Sequence, residues 1–103
     1  MYDGYGLMIG NGWRQASDGG TLPVFSPVTE DVIGHIPAAT SSDIAEAFAS
    51  AEAGLAAWQD VPAWTRARIM RKAADLIRER SETIARIMST ETGKPLAEAR
   101  GET

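Results

Sequence analysis

The most constraining stretch of this sequence runs from Thr40 to Trp58, where Ile44, Phe48, Ala51, Leu55 and Trp58 recur at intervals of four, three, four and three. That spacing sets all five on one narrow stripe of an α-helix. Thr40 is predicted to cap it, with Asp43 three residues later completing a capping-box-like pair. Pro62 suits the first turn of a second helix. Along it Ile69, Ala73, Leu76 and Ile77 form one face, and Arg66, Arg68, Arg71, Lys72 and Arg78 occupy much of the rest. Ser81 is predicted to cap a third helix with Ile84, Ile87 and Met88 inward. Gly93 stops it in the left-handed conformation and Pro95 prevents continuation. Pro95 also opens a further helical start through Leu96, Ala97, Glu98, Ala99 and Arg100. Only two turns follow before Thr103, less than a helix needs to hold itself.

The first forty residues read as strands and turns. Leu7-Met8-Ile9 and Trp13-Arg14-Gln15 flank Gly10-Asn11-Gly12, whose glycines supply the chemistry of a tight hairpin. Ala16-Ser17-Asp18-Gly19-Gly20 has the composition of a loop. Thr21 to Phe25 is a second extended segment, which Pro23 places at a sheet edge or a strand start. The segment Pro27 to Asp31 turns the chain, and Val32 to Ile36 is β-branched enough to be a strand that Pro37 ends. The fold expected is therefore α+β: short antiparallel strands over 1–39, then three amphipathic helices within 40–103. The two parts form one incomplete portion of a larger domain. The amphipathic faces of 41–58 and 62–80 need a surface this sequence does not encode, so exposed apolar surface and self-association are expected.

Charge is unevenly spread. The net charge is −4, yet residues 1–65 hold one cation (Arg14) against eight acids, and residues 66–86 hold seven cations against three acids. A mildly acidic chain lacks the footprint of a nucleic-acid binder, and the basic block reads as charge complementarity within or between subunits. With no cysteine, disulfides, thiolate metal sites and a cysteine nucleophile are excluded from this segment. Met1 to Gly6 lacks a charged region followed by a long apolar one, so no secretory signal is expected. Nor does any apolar run approach the ~20 residues of a membrane helix. A cytoplasmic protein without membrane contact is the expectation.

Few residues could carry chemistry. Gly4-Tyr5-Gly6 with Gly10 lacks the spacing and the strand-to-helix context of a dinucleotide fingerprint. Gly93-Lys94 resembles the end of a P-loop, but Pro95 replaces the required hydroxyl residue and position 88 is Met. His35 is the sole histidine, so a histidine metal cluster cannot form, and it reads as a surface or hydrogen-bonded residue. Ser26, Ser41, Ser42 and Ser50 have no partner base. Trp13, Trp58 and Trp64 could stack a ligand, but Trp58 closes a helical seam and reads as packing. Glu91, on the inward edge of its helix beside the glycine turn, is the one carboxylate placed to bind backbone N–H groups or help hold a cation. No catalytic or cofactor-binding residue is assigned, and no nucleophile, base and oxyanion set can be assembled.

The segment Met88 to Glu102, MSTETGKPLAEARGE, resembles the aldehyde dehydrogenase superfamily, closest to its succinate-semialdehyde dehydrogenase-like branch. Ile9-Gly10-Asn11-Gly12-Trp13, Phe25-Ser26-Pro27-Val28-Thr29, Val32 to Pro37, and Ala57-Trp58 with Arg66 to Leu76 resemble further motifs in the family's order. Two positions depart from the pattern: Ser26 stands where Asn is usual, and Asn11 precedes Gly12 where Gly-Glu or Gly-Lys is common.

The resemblance implies an N-terminal fragment of an oxidoreductase, part of an α/β cofactor domain, from an enzyme using NAD or NADP to oxidise an aldehyde to a carboxylic acid. A semialdehyde such as succinate semialdehyde is the implied substrate. In the family a cysteine attacks the aldehyde, an amide and a backbone N–H hold the oxyanion, and a glutamate activates water. None of these falls within 103 residues, so this chain is expected to be inactive and to bind no cofactor alone. Its implied partners are the remainder of its own polypeptide and other copies in a homo-oligomer. The family also implies, for Glu91, a monovalent-cation site shared with a carbonyl near Val24 or Phe25. The rival reading is a self-sufficient helical interaction module, without catalysis, that offers Arg66 to Lys72 to an acidic partner.

Overall fold

The computed structural model describes residues 5–103. Gly4 of the rejected glycine fingerprint, and most of the stretch searched for a signal, lie outside them. In chain order the elements are β1 (Leu7–Ile9), β2 (Gly12–Arg14), β3 (Thr21–Phe25), β4 (Val32–Pro37), α1 (Ser41–Gln59), α2 (Ala63–Glu79), α3 (Ser81–Thr92) and α4 (Leu96–Glu102). They divide into two compact units, each described separately below. One holds the described residues up to Val24 together with Val32–Asp60, and the other holds Phe25–Asp31 and Val61–Thr103.

In the first unit β1 and β2 pair antiparallel, with Leu7 opposite Arg14, Met8 opposite Trp13 and Ile9 opposite Gly12. The turn between them is Gly10-Asn11. Gly10 takes φ +67° and Asn11 does not share the positive φ, the pattern of a two-residue hairpin turn with glycine leading. The Gly10 N–H donates to Ser50 Oγ on α1 at 3.0 Å, tying the hairpin tip to the helix. β3 and β4 form a second two-stranded sheet, in which every strand is an edge, so Pro23 costs no ladder bond in a sheet interior.

α1 starts where its capping box predicts. Thr40 is extended, its hydroxyl accepts from the Asp43 N–H at 3.2 Å, and Asp43 Oδ2 accepts from the Thr40 N–H at 2.9 Å. The carboxylate also receives the Ser17 N–H at 3.1 Å and Arg14 Nη2 at 3.0 Å. Asp43 is fully buried, and Ala16 and Pro37 are the buried apolar residues described in this unit.

In the second unit the helices are short and closely joined. Ser81 does not cap α3: Arg80 does, with no side-chain hydrogen bond. The Arg80 N–H closes α2 onto Leu76 and Ile77, while its carbonyl accepts the Ile84 N–H at 3.0 Å. One residue ends one helix and begins the next, so Ser81 is already helical and its hydroxyl is displaced from the capping position. Gly93 ends α3 in the left-handed region at φ 72°. A Cβ there would lie 3.1 Å from Pro27 Cγ and 3.2 Å from Val28 Cγ2, so glycine is required by conformation and by space.

The turn from Ser26 to Asp31 shows how the serine departure is accommodated. The buried Ser26 Oγ accepts from the Val28 and Thr29 N–H groups, each at 3.3 Å, and its backbone brackets the turn through Asp31 O and the Glu30 N–H. A hydroxyl thus performs the local turn capping that an Asn side chain offers. Glu30 takes φ 61°, the left-handed position of this turn.

α4 forms despite having seven residues, because α3 holds it. Ala85 on α3 and Ala99 on α4 are fully buried. Arg100 grips Glu82 in a two-pronged pair, Nε to Oε2 at 2.8 Å and Nη2 to Oε1 at 2.9 Å. Lys94 pairs with Glu102, and Ser89 Oγ donates to the Lys94 carbonyl at 2.7 Å. Tertiary contact replaces the length that an isolated helix would need.

Candidate functional site

The most interconnected polar cluster gathers Arg14, Ser17, Thr40, Asp43 and Glu46. Arg14 Nη2 reaches both Asp43 at 3.0 Å and Glu46 at 2.8 Å, and the Ser17 and Thr40 hydroxyls lie 2.8 Å apart. The N–H groups of Thr40 and Ser17 hold the Asp43 carboxyl down at about 2, against an ordinary 3.8. Asp43 is therefore a fixed anion. Its oxygens are already filled by Arg14, Ser17 and Thr40, which makes it a staple between β2, the following loop and α1 rather than a proton donor or acceptor.

A second cluster joins Glu82, Arg86 and Arg100. Hydrogen bonding to Arg100, with the nearby charges of Arg100 and Arg86, lowers the Glu82 carboxyl to about 2 from an ordinary 4.5. All three side chains face solvent, so the group organises the α3–α4 corner without enclosing a reaction space.

The remaining candidates are scattered. Glu91 is exposed, and its carboxylate takes no hydrogen bond or ion pair among the described residues. Glu91 shares the helical stripe of Ile84, Ile87 and Met88, but those side chains are half-buried whereas Glu91, in the last turn of α3, is exposed. No three His, Cys, Asp or Glu side chains converge as a metal would require among the described residues. His35, Ser41 and Ser42 are exposed, and Ser50 serves the hairpin tip. Trp13 and Trp64 stand 65% and 82% exposed with no facing ring or cleft described around them, and Trp58 is 36% exposed. Gly93-Lys94 forms a helix end and an ion pair, not a phosphate loop.

Nor does α1 offer a phosphate site. Its N-terminus would ordinarily attract an anion, but the buried Asp43 carboxylate already occupies that position and would repel a second negative charge.

Large apolar surfaces stand open instead. On α1, Ile44, Phe48 and Leu55 are exposed beside Ala47 and Ala51. On α2, Ile69, Met70 and Ile77 are exposed beside Ala73. No described helix is long and apolar enough to cross a membrane.

The element Arg14 contributes was not evident from local pattern. Thr40 and Asp43 announce a cap, but nothing near them in sequence specifies that the lone cation of residues 1–65 reaches the same carboxylate.

Comparisons with known proteins cover nearly all of the described residues. The model of the aldehyde dehydrogenase family matches residues 13–103. Three solved structures illustrate the likeness. Succinate-semialdehyde dehydrogenase from Burkholderia pseudomallei is 39% identical with a TM-score of 0.90, over 95% of this chain and 20% of that one. NAD-dependent aldehyde dehydrogenase from Sinorhizobium meliloti is 38% identical with a TM-score of 0.90, at the same two coverages. An NADP dependent enzyme from E. coli is 35% identical with a TM-score of 0.90, over 94% of this chain and 20% of that one. The chain spans about a fifth of the length of these solved structures. The four helices and two short strand pairs of the described residues match an N-terminal fragment of such a domain. By sequence over residues 13–103 and by the order of its strands and helices, the chain belongs to the aldehyde dehydrogenase family.

Proposed function

We propose that this chain is the N-terminal structural portion of an NAD- or NADP-dependent aldehyde dehydrogenase that oxidises a semialdehyde, such as succinate semialdehyde, to the carboxylic acid. The observation that carries the reading is the family match over residues 13–103. Likeness to a succinate-semialdehyde dehydrogenase at 39% identity supports the substrate class, and likeness to one NAD-dependent and one NADP dependent enzyme supports the cofactor class.

In this reading the segment contributes architecture and no catalytic group. It has no cysteine to form a thioester, and the anion at the head of α1 is its own Asp43. A nicotinamide cofactor bound by other parts of the polypeptide would accept hydride from the substrate. A cytoplasmic homo-oligomer is the setting this activity implies.

Two measurements test it. The 103-residue chain titrated with NAD and NADP should show no saturable binding, and micromolar affinity for either would overturn the assignment. In the polypeptide that carries this segment, formation of reduced cofactor should have a higher kcat/KM with succinate semialdehyde than with butanal, its uncharged four-carbon counterpart. Equal values, or no turnover of either aldehyde, would reject the substrate class or the reaction respectively.

A further inference from the structure

Asn11 is the one asparagine of the sequence, and glycine follows it. Both residues are exposed at the β1–β2 turn. The Asn11 carboxamide takes no hydrogen bond among the described residues. A Cβ placed on Gly12 would meet nothing within 4 Å, so the space beside this peptide unit is open. A side-chain amide that is neither paired nor covered is free to swing onto the next peptide nitrogen. Glycine, lacking a Cβ, leaves that nitrogen accessible and its backbone mobile.

The chemistry open to this pair needs only water. Once its proton has passed to hydroxide, the Gly12 nitrogen adds to Asn11 Cγ. The N–Cγ bond forms, the Cγ–Nδ2 bond breaks and ammonia leaves, which closes a succinimide ring. Water then opens the ring, giving aspartate by attack at Cγ or isoaspartate by attack at the backbone carbonyl carbon. What opposes ring closure is the hairpin. Gly12 lies opposite Ile9 in the ladder, and closing the ring turns the Asn11–Gly12 peptide out of that pairing. The ladder is weak, because β1 and β2 have three residues each and a two-stranded hairpin is marginally stable. At its tip the Gly10 N–H is held by Ser50 Oγ of α1 at 3.0 Å.

We propose that Asn11 is a site of spontaneous deamidation in the folded protein, and that Ser50 slows the reaction by holding the hairpin tip closed. The aspartate product adds a negative charge to a stretch whose one cation, Arg14, is already engaged by Asp43 and Glu46. The isoaspartate product routes the chain through the former side chain and adds a backbone carbon to a two-residue turn. That displaces the register that sets Met8 opposite Trp13 and Leu7 opposite Arg14, and with it the strand that carries Arg14 to Asp43. All the reacting protein atoms belong to two adjacent residues, so the proposal is independent of the enzymatic reading and does not fall with it.

The polypeptide that carries this segment, incubated at mildly alkaline pH and digested with trypsin, yields a peptide ending at Arg14. Mass spectrometry should show that peptide gaining the mass of an amide-to-acid change, placed at Asn11 by fragmentation, with the normal and iso forms separating on chromatography. Isomerisation of Asp3 in the same peptide leaves the mass unchanged. A synthetic peptide of residues 7–14 gives the rate of the open chain. The folded protein should convert more slowly than this peptide, and Ser50→Ala should raise its rate about threefold, as expected for one exposed hydrogen bond lost. Alanine is the best helix former, so α1 is retained in that variant. Gly12→Ala should slow conversion in the protein and in the peptide alike. A folded protein that keeps its amide while the peptide is consumed overturns the proposal, as does one that reacts as fast as the peptide. An unchanged rate in Ser50→Ala also overturns it. So does an unchanged rate in Gly12→Ala, which would mean that water hydrolyses the amide directly without ring closure.

Discussion

Arg14 and Asp43 are twenty-nine residues apart in sequence, and Nη2 of the first donates to Oδ1 of the second at 3.0 Å, where the carboxylate is wholly buried. This contact fastens the hairpin to the head of α1 and joins a local capping motif to the tertiary structure. The other carboxylate oxygen receives the Thr40 and Ser17 N–H groups and both of their hydroxyls.

Asp43→Asn is therefore expected to unfasten the first unit. An amide has one acceptor oxygen, so its NH2 must face either the guanidinium or four donors, and buried donors are left unsatisfied. Thermal unfolding followed by circular dichroism should show a loss larger than that of Thr40→Ala, which removes a cap contact worth about 1 kcal/mol. Equal losses would mean that Asp43 acts only as part of the cap and that its link to Arg14 contributes nothing.

Acid should loosen both units over the same range. The folded Asp43 and Glu82 carboxyls sit at about 2, below their ordinary 3.8 and 4.5. The unfolded chain therefore binds protons first as pH falls. The stabilisation is fully present above those ordinary values and is lost progressively down to about 2. Denaturation midpoints measured between neutral pH and that range should fall with a steeper slope in the parent than in Asp43→Asn. Parallel slopes would remove Asp43 as a source of the acid sensitivity.

What the sequence made legible was what is local. The capping box needs only Thr40 and Asp43, the hairpin turn only Gly10 and Asn11, and the end of α3 only Gly93 followed by Pro95. Arg14 was the lone cation among eight acids in its stretch, and no spacing rule says which acid it meets. Ser81 failed as a cap because Arg80 alone spans the α2–α3 junction, a tightness that composition does not reveal. α4 was too short to be expected on its own, and only the buried Ala85 and Ala99 and the Glu82–Arg100 grip explain it. Glu91 keeps the stripe of Ile84, Ile87 and Met88 that its spacing predicts, yet it lies in the last turn of α3 and is exposed there.

Gly93→Ala should destabilise the helical unit by about 1–2 kcal/mol from the left-handed backbone alone. Steric pressure from Pro27 and Val28 adds to that, because a Cβ would sit 3.1 and 3.2 Å from their side chains. Gly93→Asn separates the two causes. Asparagine tolerates the left-handed region but still carries a Cβ, so urea unfolding should show it destabilised as well. Recovery of parental stability by Asn would mean that only the backbone angle matters and that the Pro27–Val28 turn can yield.

The attachment of α4 rests on small side chains. Ala85 and Ala99 have no accessible surface, so Ala85→Leu must displace neighbouring atoms, at about 1–3 kcal/mol for overpacking. The Glu82–Arg100 pair would survive such a change chemically, but both side chains are about half exposed and a solvent-facing pair contributes little against salt. A seven-residue helix prised from its support cannot persist by itself. Amide hydrogen exchange should therefore accelerate across Ala99 to Glu102 in Ala85→Leu, while the amides of α1, in the other compact unit, keep their protection. The same acceleration in Arg100→Gln with an unaltered Ala85→Leu would invert the assignment and give the corner to the ion pair.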